Sequence, residues 1–284
     1  TSLSLGTVPF LTHLMAASGK PRRGIAPNMV AQDAAKVQEA FCKATGARNF
    51  FTLQDEDTKR LMHGAVVTAY GAGGHIFFED ISLNPFKDTL KVPFVDYRCN
   101  NQSHIILHAN VPNAPELATK MLKSNACGVC TEVIPVQKQF WGAEFGILRD
   151  GCGVLWALST KAEGDMEASP YPPPVRSCVS VPDADGYLKF LKEAFGDMLV
   201  EESTSKDDVG LKKVDLLILG SGFSVIREAE SFERCCVELA TAPASGKEVA
   251  EALGGPFSKV DEKTWMVRME CGICINIIEP PMTA

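Results

Sequence analysis

Val175-Arg-Ser-Cys-Val-Ser-Val181-Pro-Asp183-Ala-Asp-Gly-Tyr187-Leu188-Lys-Phe-Leu191-Lys-Glu-Ala-Phe195-Gly196 reads as a strand that passes straight into a capped amphipathic helix. Valines spaced along 175–181 suit a buried strand. Asp183 stands where a helix cap belongs, Tyr187, Leu188, Leu191 and Phe195 follow at helical spacing, and Gly196 closes the helix. The pattern recurs three times. Asp33 opens a segment with Val37, Phe41 and Ala44 on one stripe, ending at Gly46. Asn113 opens another with Leu117, Met121 and Leu122, ending near Asn125. Ser245-Gly-Lys-Glu248 is a capping box, followed by Val249, Leu253 and Gly254. All four helices are predicted to carry a side-chain cap.

Strand-like runs precede the other three helices at 25–31, 105–111 and 236–241. Three more follow each helix: 49–53, 64–70 and 75–79, then 129–136, 145–148 and 154–158, then 198–202, 213–219 and 223–227, and finally 257–260, 265–270 and 273–278. The helix starts lie 80, 70 and 62 residues apart, a repeat that governs the fold. One helix on one face of a curved, mostly antiparallel run of strands leaves that unit half-buried, so the units must pair. The prediction is an α+β chain: four βαβββ modules paired into two domains. The first covers 24–160 and the second 175–284, after a basic extension at 1–23 and a linker at 161–174 that contains Ser169-Pro170-Tyr171-Pro172-Pro173-Pro174.

The chain has 284 residues, 45% of them hydrophobic and 22% charged, which excludes disorder, collagen and coiled coil. Its longest uncharged stretch, Gly64 to Phe78, is too short to cross a bilayer, so no transmembrane segment is expected. A formal net charge of −7 with scattered cations argues against nucleic acid as a partner. Residues 1–32 hold no Asp or Glu and three cations, Lys20, Arg22 and Arg23, resembling what remains of an organelle-targeting segment, with an ordinary flexible tail as the alternative. With ten cysteines and no secretory signal, the expectation is buried thiols in a reducing intracellular compartment, with a plastid or mitochondrion favoured over the cytoplasm. Cys127-Gly-Val-Cys130 and Cys271-Gly-Ile-Cys274 have zinc-ligand spacing, but a four-thiolate site needs both pairs to converge. Small apolar packing is the expectation for each pair.

The organisation resembles the vicinal oxygen chelate superfamily of glyoxalases, bleomycin-resistance proteins and extradiol dioxygenases. The first half is similar in particular to its PhnB-like branch, through Gly24-Ile-Ala-Pro-Asn-Met-Val-Ala-Gln-Asp-Ala-Ala-Lys36, Leu61-Met-His63-Gly-Ala-Val, and the hairpin from Gln139-Phe-Trp141 through Arg149 to Gly153-Val-Leu-Trp156-Ala-Leu. The match is weaker after Tyr171, where Lys213 stands in the place of His63. The resemblance implies a concave sheet that forms a cup in each domain. In metal-dependent members His and Glu ligands there hold a divalent ion acting as a Lewis acid. Here the opening strands offer no His or Glu, the fifth-strand position aligns with Ile106, and the final-strand Glu position falls on Ala157 and Asn276. No cofactor is therefore expected, a divalent ion with an incomplete ligand set being the alternative. The hairpin departs from the branch pattern as well: Ala143-Glu144 replaces Asp-Arg, and Asp150-Gly-Cys-Gly153 replaces Asp-Pro-Phe-Gly.

The candidate catalytic groups are His63, His104, His108 and Glu144, with His104 and His108 sharing one face of a strand as the only pair suited to a metal or to acid–base work. Trp141, Trp156 and Arg149 are the candidate ligand-binding residues. Depleted ligand positions and a second half without histidine imply a catalytically degenerate interaction module, a subunit of an organellar complex with other protein subunits as partners. The alternative is a glyoxalase-like enzyme, or a small-molecule binder, using the first cup.

Overall fold

The computed structural model describes residues 24–67, 75–80, 105–139, 142–160, 175–228, 235–240, 245–269 and 273–279. The stretches 1–23 and 161–174, with His104, Trp141, Cys99 and Cys271, lie outside them. In the first half β1 (Gly24–Ala31), α1 (Ala34–Thr45), β2 (Arg48–Gln54), β3 (Leu61–Val67) and β4 (His75–Asp80) make one module. A second comprises β5 (Ile105–Val111), α2 (Ala114–Lys123), β6 (Thr131–Lys138), β7 (Glu144–Arg149) and β8 (Leu155–Thr160). The second half repeats the plan as β9 (Val175–Val181), α3 (Ala184–Phe195), β10 (Leu199–Asp207), β11 (Gly210–Ile218) and β12 (Ser221–Arg227). Its last module is β13 (Cys235–Ala240), α4 (Gly246–Leu253), β14 (Phe257–Lys259), β15 (Thr264–Arg268) and β16 (Cys274–Ile278). The four predicted modules are present.

Each half forms one eight-stranded sheet, ordered β2-β3-β4-β1-β5-β8-β7-β6 and β10-β11-β12-β9-β13-β16-β15-β14. Within a module the first and last strands pair in parallel, as β1 with β4 and β5 with β8. The two modules of a sheet meet through an antiparallel pair, β1 with β5 and β9 with β13. The helix in each module is what allows that parallel return, since a hairpin cannot provide one.

Strand alternation then sorts the side chains. On β5, Ile105, Leu107, Ala109 and Val111 enter a core shared by both sheets, while Ile106, His108 and Asn110 take the opposite face. The core joins the helix-bearing faces, with α1 packed on α4, α2 on α3, and β1 touching β9 and β12. Trp156 stacks on Phe223 across this seam, with ring centroids 5.8 Å apart and planes 20° apart. Burying one such ring contributes about 2–3 kcal/mol. Hydrogen bonds also cross it, among them Ile25 N–H to Ser221 Oγ at 2.9 Å, Ser124 Oγ–H to Glu193 Oε2 at 2.5 Å, and Tyr187 O–H to Asp150 Oδ2 at 2.6 Å. The other face of each sheet is directed away from the shared core.

Asn113 and Asp183 cap their helices through their side chains, as predicted. Asp33 and Ser245 do not. Asp33 adopts a left-handed φ of 55°, and its own N–H donates to Asp80 Oδ2 at 3.1 Å. At the fourth helix Glu279 Oε1 accepts from Gly246 N–H at 2.7 Å. In both, a carboxylate just past the neighbouring parallel strand, or at its end, satisfies the helix start and places negative charge at the positive end of its dipole. Among the described residues, no helix is long and apolar enough to cross a membrane.

Candidate functional site

The outward face of the first sheet carries a row of rings. Phe51 on β2 lies 5.5 Å from His63 on β3, and His63 stacks on Phe77 of β4 at 5.2 Å and 19°. Phe77 meets His108 of β5 edge-on at 5.6 Å, and His108 meets Phe145 of β7 at 6.1 Å. The row crosses β1 and β8 where the side chains are small: Ala26 and Ala157 are the partners of His108 in the two ladders. All five rings are half-buried. Ile106, Ile134, Ile147 and Leu155 form an apolar floor beside them.

Polar groups interrupt this surface at few points. Asn28 Nδ2 donates to Glu79 Oε2 at 3.1 Å. Burial strips water from the Glu79 carboxyl and raises its pKa to about 7, and the Asn28 hydrogen bond opposes that rise. The amide oxygens of Asn28 and Asn110 are buried and accept no hydrogen bond from the described residues. Both oxygens lie beneath the cup face, on either side of His108.

Of the predicted site residues, His63 and His108 lie in this row, and Arg149 shares the same face at the end of β7, beside Leu155. His104 and Trp141 lie outside the described residues. Trp156 faces the other way: it is fully buried in the shared core, and its Nε1–H donates to Asp150 Oδ2 at 3.0 Å. Leu155 and Ala157 take the cup side of that strand, so Trp156 lines no cup. Glu144 also falls on the helix side, accepting from Thr160 Oγ at 2.9 Å, while the adjacent Phe145 faces the cup. Among the described residues, Glu79 and Arg149 are charged groups on the cup face, and Glu144 is not. Neither Glu79 nor Asn28 matches a metal-ligand position: Glu79 lies on the fourth strand, and Asn28 is an amide on the opening strand, where only His or Glu would count. The signal available was Glu79 itself, a charged residue two places after Phe77 on a half-buried strand.

The second cup holds different chemistry. Lys213 Nζ lies 3.0 Å from Glu238 Oε1 and 3.3 Å from Asp215 Oδ1. Ser224 Oγ bridges the two carboxylates at 2.7 and 2.8 Å, and Ser203 Oγ donates to Asp215 at 2.8 Å. Burial alone would lower the Lys213 pKa, but Glu238 and Asp215 raise it above the usual lysine range. Burial would raise that of Asp215, but Lys213, Ser224 and Ser203 hold it below the ordinary value. Arg176 pairs with Glu202 beside this network. Cys178, Cys236 and Cys274 stand side by side on β9, β13 and β16, buried, with Asn276 Nδ2 3.4 Å from Cys236 Sγ. Hydrogen bonding to Cys236 and burial push the Cys178 thiol well above its ordinary pKa.

The other thiol pair does not reach this row. Cys127 and Cys130 pack instead beside Cys152, on the turn after β7. Among the described residues, no three His, Cys, Asp or Glu side chains are grouped so as to hold a metal ion. At the first cup the strand positions beside His108 are alanines, and Glu79 with the Asn28 amide stands on the same face. Among the described residues these donors do not make up a three-ligand centre.

No protein-family model matches the chain, and no curated protein matches it either. Solved structures do. A variant of homoprotocatechuate 2,3-dioxygenase from B. fuscum superposes with a TM-score of 0.52 at 11% identity, covering 92% of this chain and 72% of that one. A Mn(II)-bound glyoxalase from Novosphingobium aromaticivorans gives a TM-score of 0.50 at 12% identity, covering 90% of this chain and 81% of that one. The likeness is to a shared architecture and not to the PhnB-like branch in particular. The chain has the vicinal oxygen chelate fold, built twice over.

Proposed function

We propose that the first cup binds a planar aromatic small molecule bearing hydroxyl or N–H donors, and that the second cup has become structural. The observation that carries this reading is the half-buried ring row from Phe51 to Phe145 beside the desolvated Glu79 carboxyl. Stacked and edge-on contacts favour a flat ligand. The acceptors Asn28 Oδ1, Asn110 Oδ1 and the Glu79 carboxylate favour one that donates. A carboxyl that titrates near neutrality can also take up or return a proton from a bound hydroxyl, the protein's contribution to any acid–base step. The role of a degenerate interaction module narrows in this reading to the second half, where Lys213, Asp215 and Glu238 satisfy one another.

Titration with para-nitrophenol tests the proposal, since its absorbance separates phenol from phenolate. The complex should share one proton between the ligand and Glu79, so affinity should peak near pH 7 and fall on both sides. Glu79→Gln should flatten that profile, and the His63→Ala, Phe77→Ala double variant should weaken binding at least tenfold. Binding that is unsaturable, or indifferent to both variants, would overturn it.

A further inference from the structure

Three thiols meet at a place the proposed cup does not use. The loop after α2 carries Cys127 and Cys130, and the turn between β7 and β8 carries Cys152. Cys152 Sγ lies 3.7 Å from the Cys127 carbonyl oxygen, and both Cys130 and Cys152 stand close enough to act on the Cys127 thiol. Cys127 and Cys152 are half-buried and Cys130 is 6% exposed. The approach depends on two glycines. A Cβ on Gly151 would sit 2.5 Å from the Gly128 Cα, and Gly128 itself has a φ of 102°. Only glycine allows backbones this close with that turn. The sequence Gly151-Cys152, where the resembling branch has Pro-Phe, therefore serves this contact.

Both segments also hold the other half of the molecule. Ser124, at the start of the loop, donates to Glu193 of α3, and Asp150, at the start of the turn, accepts from Tyr187 of α3. We propose that Cys127 and Cys152 form a reversible disulfide, a thiol-oxidation site that clasps the two segments gripping α3. The oxidant is a small disulfide of the glutathione class. The Cys152 thiolate attacks one sulfur of that disulfide, forming a mixed disulfide and releasing one thiolate. The Cys127 thiolate then displaces the second thiolate from Cys152. Both cysteine thiols lose their protons, and the oxidant gains two electrons as two thiols. Cys130 acts to lower the Cys127 pKa, but Cys152, burial and the Asp150 charge together outweigh it and push the thiol up to about 12, so the second step is slow at neutral pH and speeds up in alkali.

The test equilibrates the folded chain with reduced and oxidised glutathione, traps remaining thiols with N-ethylmaleimide, and maps peptides by mass spectrometry. A peptide pair joined through Cys127 and Cys152 is expected, lost on reduction and lost in Cys152→Ser, but retained in Cys130→Ser. Its formation should accelerate about tenfold per pH unit until the thiols titrate. A Cys127–Cys130 bridge instead, stable mixed disulfides alone, or no oxidation of the three thiols while the chain stays folded would each overturn the proposal. None of these outcomes bears on ligand binding at the cup.

Discussion

The two sheets set opposite chemistry at matching addresses. Where Ala26 faces His108 in the first sheet, Arg176 faces Glu238 in the second, and where Asn28 faces Ile106, Cys178 faces Cys236. Phe77, beside Asn28, corresponds to Ser224, beside Cys178. Ala157 beside His108 becomes Asn276 beside Glu238. Lys213 takes the place of His63, one residue before the matching pairs Val214–Val225 and Gly64–Phe78. One cup exposes rings and leaves acceptors unsatisfied by the described residues. The other consumes its polar groups internally. The scaffold is indifferent to this choice, because the strands are held by the shared core on their other face. Duplication thus frees one cup to stabilise while its twin keeps a surface to offer.

The largest effect should come from opening the second cup's ion network. Glu238 is 4% exposed and depends on Lys213 and Ser224 for compensation. Lys213→Met would leave the Glu238 and Asp215 carboxylates without the cation that bridges them, at about 3 kcal/mol of stability, read as a fall in the urea midpoint. Adding Glu238→Gln should recover most of that loss. The matching change in the first cup, His63→Met, should cost less than about 1 kcal/mol, since it removes ring contacts from a half-exposed site. Equal costs at the two positions would erase the distinction between the cups.

The seam that joins the two halves comes next. Asp150 is buried, accepts from Trp156 and Tyr187 side chains and from the N–H groups of Cys152 and Val154, and still has a raised pKa, because burial outweighs these hydrogen bonds. Tyr187→Phe withdraws one donor from a buried carboxyl and should cost about 2 kcal/mol. If the seam makes the halves one cooperative unit, circular dichroism and tryptophan fluorescence should shift together along the urea axis. Separate shifts would mean that each half stands alone and that the comparison is between independent domains.

The repeat was legible because its signals are local: caps, helical stripes and strand runs recur in one order, and β5 and β9 matched their predicted bounds residue for residue. His108 was legible as a cup residue because Ile106 and His108 alternate with apolar neighbours of the other face. Trp156 was not. Residues Leu155 to Leu158 are all apolar and all buried, so period two leaves no trace of which face each side chain takes. The helix starts at Asp33 and Ser245 misled for a different reason, since their caps come from Asp80 and Glu279, across the sheet and distant in sequence. The meeting of Cys127 with Cys152 is likewise a tertiary event, foreshadowed only by the glycines flanking each cysteine. Spacing rules see motifs along the chain, and these contacts run across it.

The smallest effect distinguishes the cups by the sign of their response to pH. Glu79 has a folded pKa of about 7 against an ordinary value of 4.5, so the folded chain keeps a proton that the unfolded chain releases. Its contribution is therefore complete below about pH 4.5, is lost as pH rises toward 7, and stays lost above that. Asp215 runs the other way: its pKa is lowered from 3.8, so its contribution is present above that value and disappears as pH falls through the folded pKa. Glu79→Gln removes the first dependence and leaves the second. Because Glu79 keeps some exposure, the gain is set at about 1 kcal/mol above neutrality, with little difference from the parent chain in acid. Urea midpoints for both chains across this range decide the matter. If Glu79→Gln is no more stable than its parent at pH 8, the carboxyl is better solvated than the ring row implies, and the first cup loses the feature that makes it unlike the second.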